Sequence, residues 1–172
     1  MIKKLALIIG FIICLSSCGK DYVYRIEGEL SNLEDQTVYA VFEKDNYKVV
    51  DTVVCTKPGQ FQIDQKEAGF HCVTIFFADK EHWITAYLEP GETVKITGDA
   101  NSPLLLQVKG GRTNDKLTAF KKKLAPLLTE LTNLSNSLNN KDLNDTIEET
   151  DIAARLANVN MQLSEEAIRY VK

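Results

Sequence analysis

The hydrophobic pattern of this 172-residue chain changes once, at Gly110-Gly111. Before that point, short β-prone runs are separated by turn residues, as in an antiparallel sandwich or barrel. After it, apolar residues recur at intervals of three and four, the stripe of an amphipathic helix. The sequence therefore predicts an α+β fold, with an antiparallel β-sandwich-like domain over residues 22–111 followed by a C-terminal helical hairpin within residues 112–172.

The β-prone part divides into about eight strands of ordinary length. They are predicted at residues 22–30, 38–42, 49–56, 61–63, 72–78, 83–88, 93–97 and 104–108. The run at 38–42 is apolar at both odd and even positions, which indicates a central strand. Lys57-Pro58-Gly59 is a turn signal and predicts that 49–56 and 61–63 form a hairpin. Every connection is short enough for neighbouring antiparallel strands.

Two apolar stripes predict the helical hairpin. The first contains Leu117, Phe120, Leu124, Leu127, Leu131, Leu134 and Leu138, and the second contains Ile152, Leu156, Val159, Leu163 and either Ala167 or Ile168. Thr113 or Asn114 is the expected N-cap of the first helix. Pro126 removes a backbone donor inside the first stripe, so we expect it to kink or restart that helix.

The N-terminus carries an export signal. Lys3 and Lys4 precede an apolar stretch over residues 5–15 that is too short to span a membrane, which predicts a signal peptide over residues 1–17. The following Leu15-Ser16-Ser17-Cys18 resembles the lipobox of bacterial lipoproteins. It predicts lipidation of Cys18, a tether over residues 18–21, and attachment to a bacterial membrane, the outer one, facing the periplasm or the exterior. An ordinary signal peptide or an uncleaved anchor is the alternative.

Composition excludes several classes of function. The formal net charge is −4, which is the wrong sign for a nucleic-acid-binding protein that relies on counterion release. The chain has only two His, which disfavours a metalloenzyme, and no sustained charge run, which disfavours a polybasic protein. We predict no nucleic-acid partner, no metal and no cofactor.

The candidate chemical groups do not form a recognisable catalytic arrangement. Cys55 and Cys72 either pair as a disulfide or are small apolar residues on strands. His71 lies next to Cys72, but adjacent strand residues point to opposite faces, so the two do not form a nucleophile–base pair. The many carboxylates are not placed in the sequence in a way that distinguishes a general acid from ordinary surface charges. We therefore predict that the chain has no catalytic residues and is not an enzyme.

Three further features each have a structural and a functional interpretation. Gly110-Gly111 is either a joint between sheet and helix or an anion site at a helix start. Lys121-Lys122-Lys123 is either the solvated side of a helix or a contact for lipid headgroups. The aromatic residues either pack in the core or line a ligand groove; they are Phe70, Phe76, Phe77, Trp83 and Tyr87.

Short marks recur in order along the β-part: Ile26-Glu27-Gly28, Val38-Tyr39, Asp51-Thr52, Gly59-Gln60-Phe61, the turn over residues 88–92, and Val108 with Gly110 before Asn114. With these marks the chain resembles a known family, the N-terminal β-domain of unknown function (the 4369 type) that precedes a thioredoxin-like domain in bacterial thiol-disulfide oxidoreductase lipoproteins. Relatives continue into a thioredoxin fold with Cys-x-x-Cys, which this chain lacks. The resemblance implies a non-catalytic binding or accessory lipoprotein, or alternatively an N-terminal fragment or docking partner of a thioredoxin-like oxidoreductase.

Overall fold

A computed structural model describes residues 22–33, 37–78, 82–139 and 146–171. In these ranges two four-stranded sheets are followed by two helices, which confirms the predicted α+β fold. None of the described helices is long and apolar enough to cross a membrane. The predicted signal peptide, the tether and Cys18 lie outside the described residues.

The first sheet has one parallel pair of strands. It contains β1 (Tyr24–Ser31), β4 (Gln60–Gln65), β7 (Thr93–Asp99) and β8 (Gln107–Lys109), in the spatial order β4-β1-β7-β8. β1 is antiparallel to β4 but parallel to β7, with Arg25 opposite Thr93. The parallel pair departs from the antiparallel expectation. It arises because the chain visits the second sheet between β1 and β7, and parallel neighbours require such a crossover.

The second sheet is antiparallel throughout. It contains β2 (Thr37–Lys44), β3 (Tyr47–Val54), β5 (Cys72–Phe76) and β6 (Trp83–Tyr87), in the order β3-β2-β5-β6. β2 is an inner strand, as its apolar sequence predicts. The strand predicted at 104–108 is shorter than expected, because a 3-10 turn over Pro103–Leu105 comes first and only Gln107–Lys109 pairs. Pro103, at the start of this turn, has no backbone N–H and so cannot donate a hydrogen bond to a neighbouring strand.

The predicted hairpin between β3 and β4 is wrong, although its turn is present. The Gln60 N–H donates to the Lys57 carbonyl at 2.9 Å. However, within the described ranges β3 pairs with β2 and β4 with β1, so the turn carries the chain from one sheet to the other. A turn signal is local, whereas the choice of sheet depends on which apolar faces meet. Phe61 and Ile63 enter the core from the first sheet.

The core lies between the two sheets and contains residues from both. Alternate residues point inward, as in β1, where Tyr24 and Ile26 are buried. Gly28 lies opposite Phe61, and a Cβ atom there would come within 2.2 Å of the Phe61 ring. The ring therefore occupies the space that a side chain at position 28 would need.

The helices α1 (Arg112–Asn139) and α2 (Thr146–Val171) form the predicted hairpin. A second apolar cluster joins them, so the later part of the first stripe is covered by α2; the cluster contains Leu127, Leu131, Leu134, Leu138, Ile152, Leu156, Val159 and Leu163. The α1 helix does not end at Pro126. The second stripe ends differently from the prediction: Ala167 and Ile168 are exposed, and Tyr170 stacks on Phe120 with ring centroids 4.1 Å apart.

The α1 helix begins at Arg112, so neither Thr113 nor Asn114 is its N-cap. The Asn114 side chain instead bonds the backbone of Tyr87 at the edge of the second sheet, and the Thr118 hydroxyl bonds the backbone of Val108 at the edge of the first. Both side chains are buried. The first turns of α1 therefore attach to both sheets at the same side of the sandwich.

Candidate functional site

The outer face of the first sheet is charged and internally paired. Arg25 makes two hydrogen bonds of 2.7 Å to Asp64, and this contact lowers the pKa of the Asp64 carboxyl. Lys95 lies 3.7 Å from Glu27 on the same face. Such a face is well solvated, so it offers no apolar surface to a partner.

The outer face of the second sheet is aromatic and aliphatic. The strand register places Tyr39 opposite Phe76, and Phe76 opposite Trp83, in one row across three strands. The Phe76 and Trp83 rings have centroids 6.1 Å apart. We call the apolar residues of this surface the aromatic face; they are Tyr39, Val41, Val50, Val54, Phe76, Trp83 and Tyr87.

The aromatic face is substantially open to solvent. Trp83 is 54% exposed, Val50 66% and Val54 65%. Soluble domains scatter single exposed apolar residues, but a contiguous group of this kind is typical of an interaction surface. Of the aromatic residues singled out in the sequence, Phe70 and Phe77 pack in the core. The other three, Phe76, Trp83 and Tyr87, lie on this face.

A polar cluster borders the aromatic face at the β2–β3 turn. The Glu43 carboxylate contacts Lys48 and accepts a 3.5 Å hydrogen bond from the Cys72 Sγ. The Lys48 contact, with the Cys72 bond second, lowers the pKa of Glu43. Burial, reinforced by Glu43, raises the pKa of the Cys72 thiol. Cys72 is therefore held as the neutral thiol rather than as a nucleophilic thiolate.

His71 does not cooperate with Cys72. Its Nε2 lies 2.8 Å from the Asp45 Oδ1, and this hydrogen bond lowers the pKa of Asp45. Nearby, Lys44 and the Tyr47 hydroxyl both contact the Glu67 carboxylate. Residues 43–48 of the β2–β3 turn line an open cleft together with His71 and Cys72. Sequence reasoning missed this site because the fold brings the start of β5, and the loop that carries Glu67, to this turn. Nothing in the sequence spacing indicates that proximity.

The two cysteines of the described residues are not joined by a disulfide. Cys55 is buried in the core, and burial raises the pKa of its thiol. Cys72 lies on the outer side of the second sheet next to Glu43. The interpretation of both as small apolar residues on strands is therefore correct only in part: Cys72 belongs to β5, whereas Cys55 lies in the core just after β3 ends. In the described ranges, no three His, Cys, Asp or Glu side chains are grouped so as to hold a metal ion.

Gly110-Gly111 serves as a joint with its polar groups used internally. The Gly110 N–H donates to the Asp115 Oδ1 at 3.1 Å, and the Gly110 carbonyl accepts from the Asn114 side chain. A Cβ atom at Gly110 would lie 2.1 Å from the Thr93 carbonyl oxygen. The glycine thus allows the chain to pass close to β7 before α1 begins, and Asp115 occupies one backbone donor at this joint.

The lysine triplet divides into two kinds of residue. Lys121 is half-buried and donates to the Leu106 carbonyl at 3.0 Å, and burial lowers the pKa of its ammonium group. Lys122 and Lys123 are exposed, as predicted for the solvated side of a helix. Lys121 is therefore part of the contact between α1 and the first sheet.

The chain therefore folds as a β-sandwich-like domain of the α+β class. Its two facing sheets have one charged and one aromatic outer face, and a helical hairpin follows them. A family model described as a domain of unknown function, DUF4369, matches residues 24–117, and the chain belongs to this family. No curated protein and no solved structure matches the chain. The family predicted from the sequence is confirmed, while its association with a thioredoxin-like domain stays a prediction.

Proposed function

We propose that this chain is a bacterial lipoprotein, anchored through Cys18 in the cell envelope, whose non-catalytic β-domain binds a protein partner through the aromatic face. The observation that carries the proposal is the contrast between the two sheets. One outer face holds paired charges, whereas the other exposes Trp83, Tyr87 and Val50. Aromatic residues are enriched at protein–protein interfaces because they bury a large area with few rotatable bonds.

The thiol chemistry supports a non-catalytic role. Disulfide exchange needs an accessible thiolate with a lowered pKa and a second thiol close by. Here the pKa values of Cys55 and Cys72 are both raised. We expect the chain to show no insulin reduction above background, with the Cys55→Ser/Cys72→Ser double variant as the control. Turnover that disappears in the double variant would contradict this part of the proposal.

The anchor rests on the segment from Lys3 to Cys18. Intact-mass analysis of the chain purified from a Gram-negative host should show an acylated N-terminal cysteine, and the protein should partition into detergent. A Cys18→Ala variant should remain unlipidated. A mature product that begins at any other residue would contradict lipidation of Cys18.

Binding through the aromatic face is testable by photo-crosslinking in cells. A photoreactive residue at Thr85 would sit between Trp83 and Tyr87 on the aromatic face, whereas one at Thr97 would sit on the outer face of the first sheet. We expect discrete adducts from Thr85 and none from Thr97, and loss of the Thr85 adduct when Trp83→Ala is added. Equal labelling from both positions would refute the proposal. A thioredoxin-like adduct would favour the alternative role as an oxidoreductase docking partner.

A further inference from the structure

The α2 helix carries a second apolar stripe on the side away from α1. Its members follow one another at intervals of three and four, and all are exposed; they are Ala154, Ala157, Met161, Ser164, Ile168 and Val171. The residues of α2 that face α1, such as Val159 and Leu163, lie on the opposite side of the helix. We call the exposed set the outer seam. Its spacing is that of the a and d positions of a coiled coil.

The outer seam is free of charge along its length. Glu165, beside the seam, lies 3.9 Å from Arg169 of the same helix, while Arg155, on the side toward α1, lies 3.1 Å from Glu130. The Ser164 hydroxyl donates to the Asn160 carbonyl at 2.8 Å. The seam can therefore be covered by an apolar surface without leaving a charge or a hydroxyl unsatisfied.

The sizes of the seam residues identify what covers it. The two alanines lie at one end and Ile168 and Val171 at the other, with Met161 and Ser164 between them. Met161 is 56%, Ile168 56% and Val171 85% exposed. If a second copy of α2 packs antiparallel, each large residue meets a small one. The layers are Val171 with Ala154, Ile168 with Ala157, and Met161 with Ser164, and all three share one two-fold axis.

We infer that the outer seam is a homodimer interface, in which the α2 helices of two copies pack antiparallel in this register. A parallel pair would stack Ile168 on Ile168 and Ala157 on Ala157, leaving the small layers underfilled. The seam is about 26 Å long at 1.5 Å per residue, and one helix face of that length buries less than the roughly 800 Å² per partner of a standard interface, so the dimer forms reversibly.

The register is tested by cysteine cross-linking of the full chain in detergent. Differently tagged Ala157→Cys and Ile168→Cys chains are mixed and oxidised, and each is also oxidised alone. We expect a mixed disulfide dimer, and little product from either variant alone because identical positions lie about 16 Å apart along the axis in this register. The unsubstituted chain controls for the native cysteines.

A charge placed in the seam provides the second readout. Met161→Glu should weaken association at least tenfold in sedimentation equilibrium, while Asn160→Glu, on the neighbouring exposed position, should change it little. The circular dichroism of both variants should match that of the native chain. Self-linking of Ala157→Cys, which indicates a parallel pair, or a native chain that stays monomeric, would overturn the inference. So would an association that Met161→Glu leaves unchanged.

Discussion

Asn114 and Thr118 lie one helical turn apart and bond to the edge strands of two different sheets. The Asn114 amide accepts from the Tyr87 N–H at 2.9 Å and donates to the Tyr87 carbonyl at 2.8 Å. The Thr118 hydroxyl makes the equivalent pair of contacts with Val108. Each side chain thus acts as one residue of an additional strand. Together they close two sheet edges that would otherwise be open.

Removing these side chains should destabilise the whole domain. Asn114→Ala leaves the N–H and carbonyl of Tyr87 without partners in a part-buried position, which we expect to cost about 2–4 kcal/mol in the free energy of unfolding. Thr118→Val, which keeps the shape but loses both bonds, should cost about 1–3 kcal/mol. Urea denaturation measures both. Thr113→Ala, exposed on the same turn, is the control, and an Asn114→Ala variant as stable as this control would contradict the assignment.

The boundary at Gly110-Gly111 was predictable because the change of hydrophobic period is a local property of the sequence. The pairing of β1 with β7 was not, since the two strands are far apart in the chain and nothing local specifies their relative direction. The turn at residues 57–60 shows the same limit. Its residues predict the bend correctly, but Phe61 lies in the other sheet because of how its side chain packs in the core, which the turn sequence does not specify.

The ion pair between Arg25 and Asp64 should make stability depend on pH in the acid range. Because the pKa of Asp64 is lower in the folded chain than in the unfolded one, the pair stabilises the fold above about pH 4. That contribution is lost as the pH falls through the folded value. Urea midpoints of the native chain and Asp64→Asn should therefore converge between neutral pH and pH 2.

Arg25→Lys is the matched variant for this pair. Lysine keeps the positive charge but cannot make both hydrogen bonds of the guanidinium, so it should reduce the pH dependence only in part. If the difference in urea midpoint between the native chain and Asp64→Asn stays constant down to pH 2, the pair does not contribute as described.

Asp51 should protect the edge strand β3 against pairing with other chains. It lies opposite Ala40, on the side of β3 that faces the core, yet it is exposed. Inward-pointing charges on edge strands are a known safeguard. Asp51→Val creates an uncharged β-prone run over residues 49–54, and we expect assemblies larger than dimers in light scattering. Asp51→Lys keeps a charge and should not aggregate; aggregation of both variants alike would argue against this role.

Glu43 should slow the reaction of Cys72 with alkylating reagents. The carboxylate adds to burial in raising the pKa of the thiol, so Glu43→Gln should increase the thiolate fraction at pH 7.5. We expect alkylation of Cys72, followed by peptide mass mapping, to become roughly two- to tenfold faster. Glu67→Gln removes a carboxylate that bonds Lys44 and Tyr47 instead, and should leave the rate unchanged.

The aromatic face was only half predictable. Alternation along 83–88 places Trp83 and Tyr87 on one side and Ile84 and Ala86 on the other, but both sides are apolar, so the sequence does not say which one faces inward. The pairing of β6 in the second sheet determines which side faces inward: Ile84 and Ala86 pack in the core, and the larger Trp83 and Tyr87 rings remain exposed. The polar contacts of Glu43, Lys48 and Cys72 depend on a register that no local pattern specifies.

The parallel pairing of β1 with β7 sets the order in which this protein can fold. Arg25 and Thr93 are neighbours in the sheet although 68 residues separate them in the chain. The hairpin of β2 and β3 can form early, because its contacts are local and loop closure is fast. One edge of β1 stays unpaired until β7 has been synthesised and has docked against it. The first strand to appear therefore belongs to the last sheet completed, and a chain halted before Thr93 would hold a half-paired β1.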